Sequence, residues 1–187
     1  MDAYVYLRVA SGMVEDVIIT LRGRHGVRQA LAVVGSWDVM VAVEGADFHA
    51  IASTVLRLIQ PVDGVLRTYT TPIVPLDLLG IQGGGWAIPT PMHREEGEAC
   101  FVHIRAAAGS VAGIVEALGE LDAVSGVAVV AGEYDVLAEI PLPWEQTAAV
   151  VLDQIQAIPG VLVTSTSVAI PALPELQDEE DQFPSWS

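Results

Sequence analysis

From Tyr4 to Val9 apolar and polar positions alternate, with Val5, Leu7 and Val9 on one side and Tyr4, Tyr6 and Arg8 on the other. That is the period of a strand with one buried face. Val14, Val17, Ile18 and Leu21 then fall at helical spacing, and Val27 to Val34 is rich in strand formers. Gly35 and Asp38 suit a tight turn into a second strand, Val39 to Val43, so the two runs form a hairpin. Asp47 stands where a helix cap belongs, ahead of one apolar stripe made by Phe48, Ile51, Ala52, Val55, Leu58 and Ile59. Pro61 and Gly64 close that helix, and Val65 to Thr71 is a last strand.

The pattern then recurs. Gly35-Ser36-Trp37-Asp38-Val39 returns 97 residues later as Gly132-Glu133-Tyr134-Asp135-Val136, and the same offset takes Leu7-Arg8 to Ile104-Arg105. Asp63-Gly64-Val65-Leu66 matches Pro159-Gly160-Val161-Leu162 at an offset of 96. Thr68 and Thr70 fall on Thr164 and Thr166. Both helices repeat as well, the first through Val111, Ile114, Val115 and Leu118 and the second through Val151, Leu152, Ile155 and Ile158. A repeat that holds register over a whole unit is a duplicated module.

Each module has the order βαββαβ, which predicts an α+β chain of two ferredoxin-like modules with antiparallel sheets, helices covering one face of each. The other face carries Tyr4, Tyr6 and Arg8 in the first copy and Phe101, His103 and Arg105 in the second. Large exposed apolar patches mark interfaces, so these six residues are expected where the open sheet faces pack together, copy on copy or chain on chain. The expected division is a first module over 1–76, a linker over 77–97, a second module over 98–172 and an acidic disordered tail over 173–187. The linker holds Gly83-Gly84-Gly85-Trp86 and Pro89-Thr90-Pro91; the tail holds five acids.

Composition narrows the function. The 187 residues are 52% hydrophobic and 17% charged, too apolar for a disordered chain. Net charge is −16, and all eight basic residues are arginines. Such a chain repels a phosphate backbone, so nucleic acid and anionic membranes are not expected partners. The acids are unequally placed: residues 1–76 carry seven against six arginines, whereas 98–172 carry nine against one. An arginine-bearing copy meeting an acidic one, within or between chains, is therefore expected. The single Cys100 excludes an intramolecular disulfide and a Cys-based zinc site, and sits in an apolar strand as a small buried hydrophobe. With no signal-like or membrane-spanning run, a cytoplasmic protein is expected.

Catalytic and metal constellations are not legible. His25, His49, His93 and His103 show no metal spacing, and the Gly83 triplet does not lead from a strand into a helix. No metal or cofactor is therefore expected. What stands out is the duplicated Gly-x-(Trp/Tyr)-Asp turn. Its amides could take a carboxylate, its aspartate an ammonium, and its aromatic could wall the site, which together suit a zwitterionic amino acid. Ordinary turn chemistry explains the same residues, as does neutralisation of Asp38 and Asp135 by Arg8 and Arg105.

The order of these segments resembles the effector-binding domain of the Lrp/AsnC family of feast/famine regulators. The resemblance rests on the Gly-x-(aromatic)-Asp hairpin, on His25-Gly26-Val27 and on the Asp63-Gly64-Val65 and Pro159-Gly160-Val161 turns. It covers residues about 3–75 and 99–171. It implies a dimeric α+β barrel, assembly into homo-oligomers, and non-enzymatic binding of amino acids or related metabolites between subunits. The implied ligand-binding positions are Gly35, Trp37, Asp38, Thr68 and Thr70, with Gly132, Tyr134, Asp135, Thr164 and Thr166. Family regulators start with a winged helix-turn-helix, whereas this chain starts at the first strand of the module, so a helix-turn-helix paralogue is an expected partner. The alternatives are a purely structural oligomerisation partner, or a monooxygenase or haem-handling protein of the barrel class using His103 with Tyr6.

Overall fold

A computed structural model describes residues 1–81 and 99–170. Most of the expected linker, with its Gly83 and Pro89 motifs and His93, and the whole expected tail lie outside the described residues. The first copy runs β1 (Asp2–Val9), α1 (Val14–Leu21), β2 (Val27–Val34), β3 (Val39–Glu44), α2 (Phe48–Thr54) and β4 (Val65–Val74). The second runs β5 (Ala99–Ala106), α3 (Val111–Gly119), β6 (Gly126–Val130), β7 (Val136–Ile140), α4 (Trp144–Val150) and β8 (Val161–Ala169). Both second helices widen into a π-turn at matching positions, Val55–Ile59 and Val151–Ile155. Asp47 caps α2 as expected, its Oδ1 accepting from the Ala50 amide at 2.8 Å.

Each copy is an antiparallel four-stranded sheet, ordered β4-β1-β3-β2 and β8-β5-β7-β6. The two sheets close on one another into an eight-stranded barrel. Two short seams do this: β2 pairs with β8 through Val33–Ala169 and Val34–Val168, and β4 with β6 through Ile73–Val130 and Val74–Val129. β4 therefore runs three residues past the Val65–Thr71 read from the sequence, because its end finds partners on the other copy.

Strand alternation sorts the side chains into three cores. Val5, Leu7 and Val9 face the helices with Val17, Leu21, Ile51 and Ile59, and Val102 and Ile104 do the same with Ile114, Leu118 and Ile155. The third core fills the barrel with Tyr4, Tyr6, Met40, Phe101, Ala128 and Leu137. The aromatic faces thus meet copy on copy, inside one chain. Arg8 and Arg105 are corrections to the expected interface. Their side chains stay 46% and 43% exposed at the barrel rim, because a guanidinium loses more by desolvation than its stem gains by packing. The expected pairing of basic copy with acidic copy is also not how the two copies meet inside this chain. Among the described residues the four ion pairs, Arg8–Asp38, Arg28–Asp2, Arg28–Glu44 and Arg105–Glu133, each lie within one copy, and the copies meet through aromatic and aliphatic packing and hydrogen bonds such as Tyr6–His103.

Candidate functional site

The two hairpins bring their Gly-x-(aromatic)-Asp turns to the barrel rim, where each packs on the last strand of the other copy. A Cβ on Gly35 would lie 2.8 Å from the Ser167 hydroxyl, and one on Gly132 would strike the Tyr69 hydroxyl. These glycines are required by the close approach of two copies. The Glu133 amide donates to that same Tyr69 oxygen.

The aspartates have a local task. Both first strands carry a bulge, between Arg8 and Val9 and between Arg105 and Ala106. A bulge leaves a backbone N–H without its ladder partner. Asp38 Oδ2 accepts from the Val9 amide at 2.9 Å, and Asp135 Oδ2 accepts from the Ala106 amide at 2.8 Å. Asp38 also pairs with Arg8 at 3.2 Å. Arg105 does not pair with Asp135; it reaches the Glu133 carboxylate at 3.4 Å and the Glu133 carbonyl at 3.2 Å.

Each rim layers a cation on an aromatic ring. The guanidiniums of Arg8 and Arg67 lie 5.8 and 5.9 Å from the Trp37 ring centre, and Arg105 lies 5.7 Å from that of Tyr134. Arg67 has no basic counterpart, since its equivalent in the second copy is Val163.

Below the rims a cavity of about 80 Å³ sits on the pseudo-twofold axis. It is lined by five pairs of equivalent positions and by Val130. The pairs are Tyr6 with His103, Ser36 with Glu133, Trp37 with Tyr134, Tyr69 with Ser165, and Thr71 with Ser167. Of the ten ligand-binding residues expected from the sequence, Trp37 and Tyr134 line this cavity and the other eight do not. Tyr69, Thr71, Ser165 and Ser167 alternate with Thr68, Thr70, Thr164 and Thr166, and so occupy the opposite strand face. Thr68 and Thr164 each accept from a glutamine on the π-turned helix, Gln60 at 2.9 Å and Gln156 at 3.0 Å. The sequence carried a signal for the cavity set, in the alternation Tyr69-x-Thr71 and Ser165-x-Ser167.

His103 and Tyr6 are both strongly perturbed by burial in the cavity. The His103 Nδ1 lies 3.2 Å from the Ser165 carbonyl, and its Nε2 lies 3.0 Å from the Tyr6 hydroxyl. A carbonyl only accepts, so Nδ1 carries the proton and the neutral ring accepts at Nε2 from Tyr6. Burial lowers its pKa to about 4, against a smaller opposing contribution from the Ser165 carbonyl. Burial, with Tyr69 nearby, pushes the Tyr6 phenol well above its ordinary range, so the pair is uncharged at neutral pH. The Trp37 and Tyr69 rings stack at 10° with centres 5.9 Å apart. Thr71 is 3% exposed, and its buried hydroxyl oxygen has no hydrogen-bond partner.

Among the described residues no three His, Cys, Asp or Glu side chains gather as a metal site. No helix among them is long and apolar enough to cross a membrane.

Comparison with known proteins fits the geometry. No curated protein sequence matches the chain. Siroheme decarboxylase NirDL has the same fold over both copies, with a TM-score of 0.67 at 8% identity, covering 90% of this chain and 70% of that one. The Thermus thermophilus protein TTHA0845 is 36% identical over 41% of this chain and 98% of its own, with a TM-score of 0.39. AsnC of E. coli is 21% identical over 50% of this chain and 64% of its own, with a TM-score of 0.38. The family model of the Lrp/AsnC ligand binding domain matches twice, at residues 2–74 and 99–175. The chain belongs to the Lrp/AsnC ligand-binding domain family and carries two of its domains in tandem.

Proposed function

We propose that the protein is a non-enzymatic sensor and assembly module whose two rims each bind an amino-acid-like effector. One observation carries this reading: each rim sets an arginine, a carboxylate and an aromatic ring side by side. At the first rim these are Arg8, Asp38 and Trp37; at the second they are Arg105, Glu133 and Tyr134. A zwitterion has a carboxylate for the arginine, an ammonium for the acid and an apolar part for the ring. Gly35, Thr68 and Thr70, with Gly132, Asp135, Thr164 and Thr166, complete the two proposed sites. The module acts with further copies of itself, or with a helix-turn-helix paralogue that supplies DNA contacts. A chain of net charge −16 without lysine is poorly suited to supply them. The barrel cavity supports the non-enzymatic reading, being far below the roughly 300 Å³ at which pockets for cofactor-sized ligands begin.

The test is calorimetric titration of the intact chain with amino acids and their 2-keto acids. A true effector at 100 times its dissociation constant raises stability by about 2.7 kcal/mol. Asp38→Asn and Glu133→Gln are the right variants. The first keeps an oxygen for the bulged amide and the second alters only the exposed acid beside Arg105, so loss of binding is read without loss of fold. A second reading is favoured by the bonds from Asp38 and Asp135 to Val9 and Ala106: the turns are purely structural, and the protein only assembles. It predicts a defined assembly in native mass spectrometry and no response to any metabolite.

A further inference from the structure

The cavity on the pseudo-twofold axis shares Trp37, Glu133 and Tyr134 with the rims, but its inner walls add Tyr6, Tyr69, Thr71 and His103 and have their own chemistry. Its walls offer hydrogen bonds without a formal charge at their centre. His103 has both ring nitrogens engaged, Nδ1 with the Ser165 carbonyl and Nε2 with Tyr6, so it has no N–H left to offer an anion. Tyr6 gives its proton to His103 and keeps an oxygen lone pair. Tyr69 accepts from the Glu133 amide and keeps its own proton to donate. The Thr71 hydroxyl, buried and without a partner, both donates and accepts. An isolated ion placed here would be desolvated with no counter-charge beside it. The Glu133 carboxylate at the edge is already paired with Arg105.

Size and symmetry limit the occupant further. A single water needs about 10–15 Å³ of such space, so 80 Å³ admits several waters or one small organic group. The cavity straddles the axis, and the positions related by that axis differ: Tyr6 faces His103, and Tyr69 answers to Ser165. It therefore presents one asymmetric site per chain, whereas the rims present two.

We propose that this cavity binds one small uncharged molecule, or the uncharged end of a larger one, that carries both a hydrogen-bond donor and an acceptor, with Thr71 as its principal partner. The simplest such group is a primary amide.

Acetamide, acetate and acetamidinium have the same shape and differ in charge, so they are the probes. The full-length chain is titrated with each up to about 100 mM, following the Thr71 methyl and His103 imidazole signals by NMR. A four-atom ligand binds no tighter than roughly 40 µM, so a dissociation constant in the high-micromolar to millimolar range is expected for acetamide. The expected result is one saturable acetamide site per chain, with no saturable shift from either ion. Thr71→Val should weaken acetamide at least tenfold, and Thr71→Ser should restore it to within about threefold. Equal response to all three probes, unsaturable shifts, or undiminished binding by Thr71→Val would make the cavity a water pocket and overturn the proposal. Failure here leaves the rim reading intact, because amino-acid binding that responds to Asp38→Asn and Glu133→Gln is read independently in the same preparation.

Discussion

At the scale of single residues, His103 links the barrel to pH. Its folded pKa of about 4 lies below the unfolded value of 6.5, so between these values the unfolded chain holds a proton that the folded chain does not. The contribution of neutral His103 is complete above pH 6.5 and is lost as pH falls towards 4, by up to about 3 kcal/mol. Urea unfolding across this window should show the stability advantage over His103→Gln narrowing as the pH drops. An NMR titration of His103 with a midpoint near 6.5 would show that the ring is not desolvated. Gly132 offers a second residue-scale test. Its absent side chain makes room for the Tyr69 hydroxyl, so Gly132→Ala should cost about 1–3 kcal/mol by overpacking, and Tyr69→Phe added to it should recover part of the loss. The sequence identified Gly132 as special but gave a turn as the cause. The cause is a neighbour 63 residues away in the chain, which no local pattern can reveal.

At the scale of elements, the local signals were sound where a single strand or helix sets them. The alternation in β1, the stripe of Ile51, Val55 and Ile59 and the cap at Asp47 each depend on residues within a turn or two, and each appears in the structure, whereas Phe48, read as part of that stripe, is exposed. Asp47→Ala should therefore cost about 1 kcal/mol in denaturant unfolding, the ordinary worth of an N-cap. The turns before the last strands are stricter. Gly64 and Gly160 have φ of +88° and +93°, and a Cβ there would press on Met13 or collide with Ser110. Gly160→Ala is expected to lower the unfolding midpoint more than Asp47→Ala does, since left-handed strain and a collision add. The end of β4 and the π-turns were not legible. The first depends on a seam with β6, and each π-turn ends at a glutamine, Gln60 or Gln156, that bonds to the following strand.

At the scale of the whole molecule, one chain builds the barrel and so consumes both open sheet faces internally. Further assembly must use the outer surface. There Phe48 and Trp144, Leu56 and Leu152, and Leu66 and Leu162 are exposed at equivalent positions of the two copies. Exposed apolar residues in matching places are a candidate contact surface for further copies. A Leu66→Asp, Leu162→Asp double variant should lower the assembly mass in native mass spectrometry and leave the thermal midpoint within about 3 °C, because neither side chain is in a core. A drop to aggregated or unfolded protein would instead place these leucines in the fold itself.

The amino-acid order by itself determined that there are two copies, that each is βαββαβ, and that an aromatic face on each needed covering, because period and recurrence are properties of neighbours along the chain. Only the tertiary structure decided that the faces cover each other within one chain, and that the two aspartates serve bulged strands. It also decided that Tyr69, Thr71, Ser165 and Ser167, rather than the threonines beside them, line the space on the axis. Those outcomes depend on which strand face meets which partner across about a hundred residues of sequence, a matter of closure and packing that no window of local pattern contains.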